Sequence, residues 1–516
     1  MQVCNPPGVL CNSLFLGTGF AKGHLNIGEL VVAEVTDFEE VWSTSKGGPN
    51  KNGAAFYKPI NVPTGYHCLG YYCQARTGTL DGWVLVAKEN KYLQKTACNE
   101  MHTDVNNSSI APLASPTDYK LVWSTSKGKF NQAGFFWLPC APDGYVPVGF
   151  LVTNTSDKPT ISAEVMCVRT DLTDSCKMAD RIWSFESSKT PLTVSYVYPC
   201  KTGLDERGIL VGTFTCSSSV IAADGTVPIA CLKNAMSVYE AMPNADQIDA
   251  LMLHYGPVFY FHPDEIDFPS SVTWFFEQGA LLYKKDAEKP EELACDGCNL
   301  PVDSLEGDYW LGLPVGDIAE TVKKAKLGMV DVPLGKIGEH VSDWEHVTLR
   351  ISNLSGHLKR VYFAQHSGRI WVNASEVEYA HGNNVAVYSA KSGHASYPHP
   401  GLILQGDKRI GVGIRNDTAR SAYVLETAKN YEIVSAKYLH LLGADSVPKE
   451  PTWLLYACEW GPKFQYDRRA ELDKVLARLP QKAKEGIGFF LEKISTSVIW
   501  RGRSFWSHAE KLLAGR

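Results

Sequence analysis

The heptapeptide Val41-Trp42-Ser43-Thr44-Ser45-Lys46-Gly47 recurs unchanged as Val122-Trp123-Ser124-Thr125-Ser126-Lys127-Gly128. The same landmarks follow each copy. Phe56-Tyr57-Lys58-Pro59 and then Gly65-Tyr66 through Gly70 follow the first, and Phe136-Trp137-Leu138-Pro139 and then Gly144-Tyr145 through Gly149 follow the second. A third, degraded copy begins at Arg181-Ile182-Trp183-Ser184 and runs through Pro199 to Gly212. In each copy an apolar strand ends at Trp, a polar turn follows, and an aromatic strand ends at Pro, which cannot continue a ladder. Gly-Tyr then opens a third strand that closes on Gly70 or Gly149. A sheet this small cannot bury its aromatic face alone and must pack on its neighbours. The repeat therefore predicts a β-sandwich or three-sided β-prism, with Trp, Tyr and Phe as its core.

A chain of 516 residues is too long for one core. The expected division is an extension (1–24), the repeated β domain (25–240), a second β-sandwich domain with short helices (246–465) and a helical tail (467–516). The fold class is mainly β. A net charge of -6 argues against generic nucleic-acid binding, which needs a basic face. Met1 to Lys22 lacks the pattern of a signal peptide, and no apolar run is long enough to span a bilayer, so a cytoplasmic protein is expected. The scattered cysteines fit a reducing compartment; Cys68/Cys73, Cys167/Cys176 and Cys216/Cys231 are the pairs to expect in an oxidising one. Cys295-Asp296-Gly297-Cys298 is a CxxC without a second half, a weak signal for zinc or redox chemistry.

The stretch from Glu339 to Gly401 carries the chemistry. If Asp343-Trp344-Glu345-His346 runs as a strand, Asp343 and Glu345 share one face, and paired carboxylates repel unless a cation or protons separate them. His366 and His394 each follow an apolar strand, beside Gly368 and Gly393. With His340 these residues form a candidate divalent-cation site, Ca²⁺ or Mg²⁺ preferred and Zn²⁺ if both histidines bind. Trp344, His346, Lys391 and Tyr397 flank it as candidates for holding a headgroup or other ligand. The bland alternative is a hydrogen-bonded polar network between sheets.

Earlier in this domain, Ala245 to Tyr255 reads as a short helix leading into a strand from Val258 to Phe261. His262, Asp264 and Glu265 follow in a turn that Pro263 favours, either as further ligands or as a solvated strand end. Ser270 or Ser271 is placed to cap a helix at Trp274. Lys284 to Asn299 reads as an exposed loop, and Trp453 to Pro462 as the final strand. The tail is rich in Lys and Arg, and its Trp500, Arg501, Arg503 and Trp506 are candidate membrane contacts; packing of its apolar face on the second domain is the alternative.

Val62-Pro63-Thr64-Gly65-Tyr66 and Ala141-Pro142-Asp143-Gly144-Tyr145 resemble the repeats of the adaptor-binding region in vacuolar-sorting-associated protein 13 lipid transporters, which implies Pro-containing adaptor peptides as partners. Almost the whole chain resembles the plant family named after vacuolar-sorting-associated protein 62. The carrying residues are Tyr255-Gly256-Pro257-Val258-Phe259-Tyr260-Phe261-His262-Pro263-Asp264-Glu265, Phe268 to Phe275, Asp343 to Thr348, and Gly393-His394-Ala395-Ser396-Tyr397-Pro398. Asp343-Trp344-Glu345 also resembles the His-Asp-Trp-Glu core of necrosis- and ethylene-inducing-like cytolysins, with His340 matching the first histidine and Ser342 replacing the second. That likeness implies a divalent cation near a lipid-headgroup site. No Gly-x-Ser-x-Gly elbow, phosphate loop or dinucleotide fingerprint is present. The expected function is therefore a non-enzymatic, membrane-associated binding protein of vacuolar-sorting type that recognises lipid or glycan headgroups. The alternatives are a membrane-active, pore-forming or cytolytic defence protein and a metal-dependent hydrolase.

Overall fold

The computed structural model describes residues 19–44, 53–76, 80, 82–90, 110–125, 130, 132–161, 165–186, 191–201, 208–218, 227–234, 241–302, 304, 308–314, 324–327, 330–333, 344–365, 368–407, 412–436, 438–439, 447–461, 470, 473–474 and 477. The chain is mainly β, with many small antiparallel sheets and few helices. It divides into two compact units, one of Asn12–Asn244 with Ser352–Gly356, the other of Met1–Cys11, Ala245–Ile351 and His357–Arg516. Among the described residues no helix is long and apolar enough to cross a membrane.

The first unit is built from three copies of one sheet. Phe38–Ser43 pairs with Ala54–Pro59 and that strand with Tyr72–Ala75; Asp118–Thr125, Gly134–Cys140 and Leu151–Thr153 repeat the pattern, as do Thr173–Phe185, Leu192–Pro199 and Phe214–Ser218. The third copy expected at Arg181 is therefore a full structural repeat. In every copy the ladder shifts register just before the Trp, skipping Val41, Val122 and Ile182. Such a bulge turns two consecutive side chains to one side. Val122 with Trp123, and Ile182 with Trp183, are accordingly buried together.

Trp42, Trp123 and Trp183 meet at the centre, with ring centroids 6.2, 6.0 and 6.0 Å apart and edges turned to faces. Edge-to-face packing sets the positive ring edge on the negative face, which adds to the stabilisation from burying the indoles. Phe56, Phe136 and Phe214 extend this aromatic centre.

The Gly-Tyr segments depart from the sequence expectation. They do not supply the third strand of their own sheet: His67–Cys68 pairs with Val84–Glu89, and Tyr145–Val146 with Cys167–Arg169. The third strand begins after the following glycine, because there the three copies cross. A Cβ on Gly70 would stand 2.6 Å from the Gly149 Cα, and one on Gly149 would stand 2.8 Å from Thr213 Cγ2. Main-chain bonds from Met166 to Cys68, Ala230 to Pro147 and Leu85 to Val211 then link the copies in a ring. None of the described cysteines is in a disulfide, including the three candidate pairs.

The second unit places helix Ala245–Tyr255 before strand Val258–Tyr260, as its sequence predicts. Helix Val272–Glu277 is capped by Ser271, whose hydroxyl accepts from the Trp274 N–H. Val258–Tyr260 lies between Asn384–Ser389, to which it is parallel, and Val424–Glu426, to which it is antiparallel. Lys284 to Asn299 is largely exposed, apart from a short pairing of Glu291–Glu292 with Leu281–Lys284. Of the expected strand from Trp453 to Pro462, the described residues 453–461 form none. Pro451 precedes a 3₁₀ turn at Thr452–Leu455, and after it Tyr456, Cys458 and Trp460 are buried while only an isolated bridge joins Glu459 to Trp310. An apolar, aromatic run reads as a strand even where the chain crosses a core without ladder partners.

Candidate cation site

The parallel pairing of Val258–Tyr260 with Asn384–Ser389 brings the carboxyl ends of two strands together. The first continues into His262-Pro263-Asp264-Glu265, a turn closed by a bond from the Glu265 N–H to the His262 carbonyl (2.9 Å) with Pro263 at its second position, where its fixed φ fits. The second continues into Ala390-Lys391-Ser392-Gly393-His394-Ala395. There the His394 N–H donates to the Ala390 carbonyl (2.8 Å) and the Ala390 N–H to the Ala395 carbonyl (3.0 Å). Ser392 and His394 both occupy the left-handed region, with φ of 58° and 51°. Each such non-glycine position costs about 1–2 kcal/mol, and the surrounding bonds hold both.

Glu265 joins the two loops. Its side chain is 2% exposed. Oε1 accepts from the Ile266 and Asp267 N–H groups (3.0 and 3.1 Å), Oε2 accepts from the Ser392 N–H (2.7 Å), and Oε2 stands 3.7 Å from His394 Nε2. Burial alone would raise its pKa. The interaction with His394 and the amides of Ser392 and Asp267 outweigh burial and hold the carboxyl at about 2. Asp267 completes the group: one ligand atom each from Glu265, Asp267 and His394 lies within 4.8 Å of the other two. Glu265 is buried, His394 half-buried and Asp267 exposed, so the group opens to solvent on one side. Two carboxylates and one imidazole form a mostly oxygen donor set that suits Ca²⁺, Mg²⁺ or Mn²⁺ and admits Zn²⁺. Lys391 flanks the group, its Nζ 3.2 Å from Asp264 Oδ2.

A sequence model described as Vacuolar protein sorting-associated protein 62 matches residues 7–325 and 319–502. The chain belongs to this family. No curated protein matches it. Among solved structures, GNIP1Aa from Chromobacterium piscinae is similar over 41% of this chain and 38% of that chain, with 16% identity and a TM-score of 0.31, too slight a likeness to carry an argument. The family's name makes this a vacuolar-sorting type protein.

Of the site residues read from the sequence of this family member, His394 belongs to the group just described and Lys391 stands beside it. Tyr397 is buried; burial and then the nearby Glu345 charge push its phenol pKa up, which places Glu345 close to the strand that follows His394. The ladder starts at Val347, so the strand alternation inferred from the sequence does not govern Trp344, Glu345 and His346. Trp344 lies parallel to Trp453 (5.8 Å) and edge-on to Trp460 (5.0 Å), within the aromatic core of its unit. The His346 ring stacks on Tyr362 at 5.5 Å. His340, Asp343, His366, Trp500, Arg501, Arg503 and Trp506 lie outside the described residues. Sequence reasoning reached Glu265 as an optional ligand and missed Asp267. The available signal was the run Asp264-Glu265-Ile266-Asp267 directly after an apolar strand.

Proposed function

We propose that this vacuolar protein sorting-associated protein 62 family member is a non-enzymatic, peripherally membrane-associated binding protein. Its Glu265, Asp267 and His394 hold a divalent cation, Ca²⁺ or Mg²⁺ in preference to Zn²⁺, and through it a lipid or glycan headgroup. The observation that carries this reading is the convergence of those three side chains at the carboxyl ends of two parallel strands. Metal ligands must be deprotonated, and Glu265, held at about 2, stays anionic across the physiological range. The exposed side of the group leaves room for an exogenous ligand on the metal. The repeated unit is the proposed receptor for Pro-containing adaptor peptides, on the strength of its likeness to adaptor-binding repeats.

Calorimetric titration of the full chain with Ca²⁺ and Mg²⁺ tests the reading. Glu265→Gln combined with Asp267→Asn should weaken cation binding by at least about tenfold, as loss of two charged oxygen ligands requires. Unchanged affinity in that double variant refutes this site, and loss of affinity in Asp343→Ala with Glu345→Ala instead would move the cation to that pair.

A further inference from the structure

The loops that build the cation group also display apolar side chains to solvent. Ile266, between Glu265 and Asp267, is 62% exposed, and Phe268 is 51% exposed. The Phe268 ring meets Phe261 at 5.5 Å and Tyr423 at 5.8 Å; Tyr423 and its neighbour Val424 are 53% and 44% exposed. The backbone beneath them is fixed. Ser421 Oγ donates to the Phe261 carbonyl (2.7 Å) and accepts from the Tyr423 N–H (2.9 Å), while the Phe261 N–H donates to the Tyr423 carbonyl (3.0 Å). Exposed apolar side chains that adjoin one another on a fixed backbone mark an interaction surface, and pre-ordering lowers the entropic cost of using it.

The charges around this patch identify its partner. Asp264, Glu265 and Asp267 stand against Lys391, while the exposed Arg420 lies over the Tyr260 ring at 4.9 Å and faces the Glu378 charge. Glu426 and Lys429, further along, neutralise each other in an ion pair. On the two loops Asp264, Glu265, Asp267 and Lys391 sum to two net negative charges, which a bound divalent cation offsets. A surface of aromatic and aliphatic side chains whose charge repels an anionic bilayer when empty, and loses that repulsion on loading, suits the bilayer interface: aromatic rings sit at headgroup depth, and the open side of the cation can meet the lipid charge.

We infer that Ile266, Phe268, Tyr423 and Val424 form a membrane-docking patch that enters the interfacial layer of anionic phospholipid when the neighbouring group holds a divalent cation. This rests on the cation reading above and specifies its partner as a lipid surface. Cosedimentation of the full chain with phosphatidylcholine vesicles, with and without phosphatidylserine and with calcium or chelator, tests it; calcium affinity is measured in parallel by calorimetry. The wild type should bind phosphatidylserine vesicles in calcium and be released by chelator. Ile266→Ser with Phe268→Ser, and separately Tyr423→Ser, should lower vesicle partitioning, the first by about tenfold or more because burial of two apolar side chains is lost. Both variants should keep wild-type calcium affinity, which also reports that the loops are folded. Vesicle binding undiminished in both variants overturns the inference. So does a wild type that binds calcium but no vesicles, or one that uses the patch for free glycans only, and in these cases the cation site itself stands. Binding that depends on the patch but persists in chelator overturns the cation gate. Failure of the wild type to bind any cation refutes the earlier reading instead.

Discussion

Glu265 ties folding stability to pH through one carboxylate. Its folded-state pKa is about 2 against an ordinary 4.5. At about 1.4 kcal/mol for each tenfold change in proton affinity, that lowering corresponds to about 3 kcal/mol. Because the folded value is depressed, the contribution is fully present above pH 4.5 and is lost as pH falls from there towards 2. Glu265→Gln keeps the size of the side chain but places an amide where the Ser392, Ile266 and Asp267 N–H groups need acceptors. The variant should therefore be less stable than the wild type by about 3 kcal/mol at pH 7, and the two should converge as the wild-type carboxyl is protonated. Because the chain has two compact units, the readout must be local. Urea unfolding followed by hydrogen exchange of peptides covering 258–267 and 388–397, at pH steps from 7 to 3, isolates this site. A stability gap that stays constant across those steps, or no gap at pH 7, would refute the argument that amide bonds and His394 hold the carboxylate.

Two further outcomes follow from packing. Gly149→Ala adds a Cβ 2.9 Å from the Gly70 Cα, a backbone atom that cannot rotate away, and 2.8 Å from Thr213 Cγ2; it should destabilise the repeated unit by about 1–3 kcal/mol, and an unchanged melting temperature would refute the crossing of the three copies at this point. Native-state alkylation followed by mass spectrometry should modify the exposed Cys200, Cys295 and Cys298 well before Cys73 and Cys216, whose burial raises their thiols well above the ordinary value. Cys298 should react more slowly than Cys295, because the hydrogen bond to Asp296 raises its thiol too; equal labelling of buried and exposed cysteines would contradict the core described here.

Repetition makes the first unit legible in the sequence. An unchanged heptapeptide, followed each time by aromatic, Pro and Gly-Tyr landmarks, predicts stacked antiparallel sheets with a shared aromatic core, and even the divergent copy at Trp183 keeps its place. Local signals were equally dependable for helix Ala245–Tyr255 and for the Ser271 cap, because capping and helical periodicity act over a few residues. Reading Trp453 to Pro462 as a strand failed for a related reason: the run is apolar and aromatic, but a strand also needs partners, which local sequence does not reveal.

The cation group divides in the same way. Sequence chemistry by itself picked out His394 and Lys391, and noted Asp264 and Glu265, as polar residues at the ends of apolar strands. It could not join them, because Val258–Tyr260 and Asn384–Ser389 are far apart in the chain and their parallel pairing follows from the packing of the whole unit. Only that pairing sets Glu265 3.7 Å from His394 Nε2 and brings Asp267 to the same place. Residue type and local spacing were enough to mark which side chains can act as ligands and which segments repeat. The tertiary structure alone decided which carboxylates stand beside which imidazole, since long-range strand pairing is settled by the burial of many residues together.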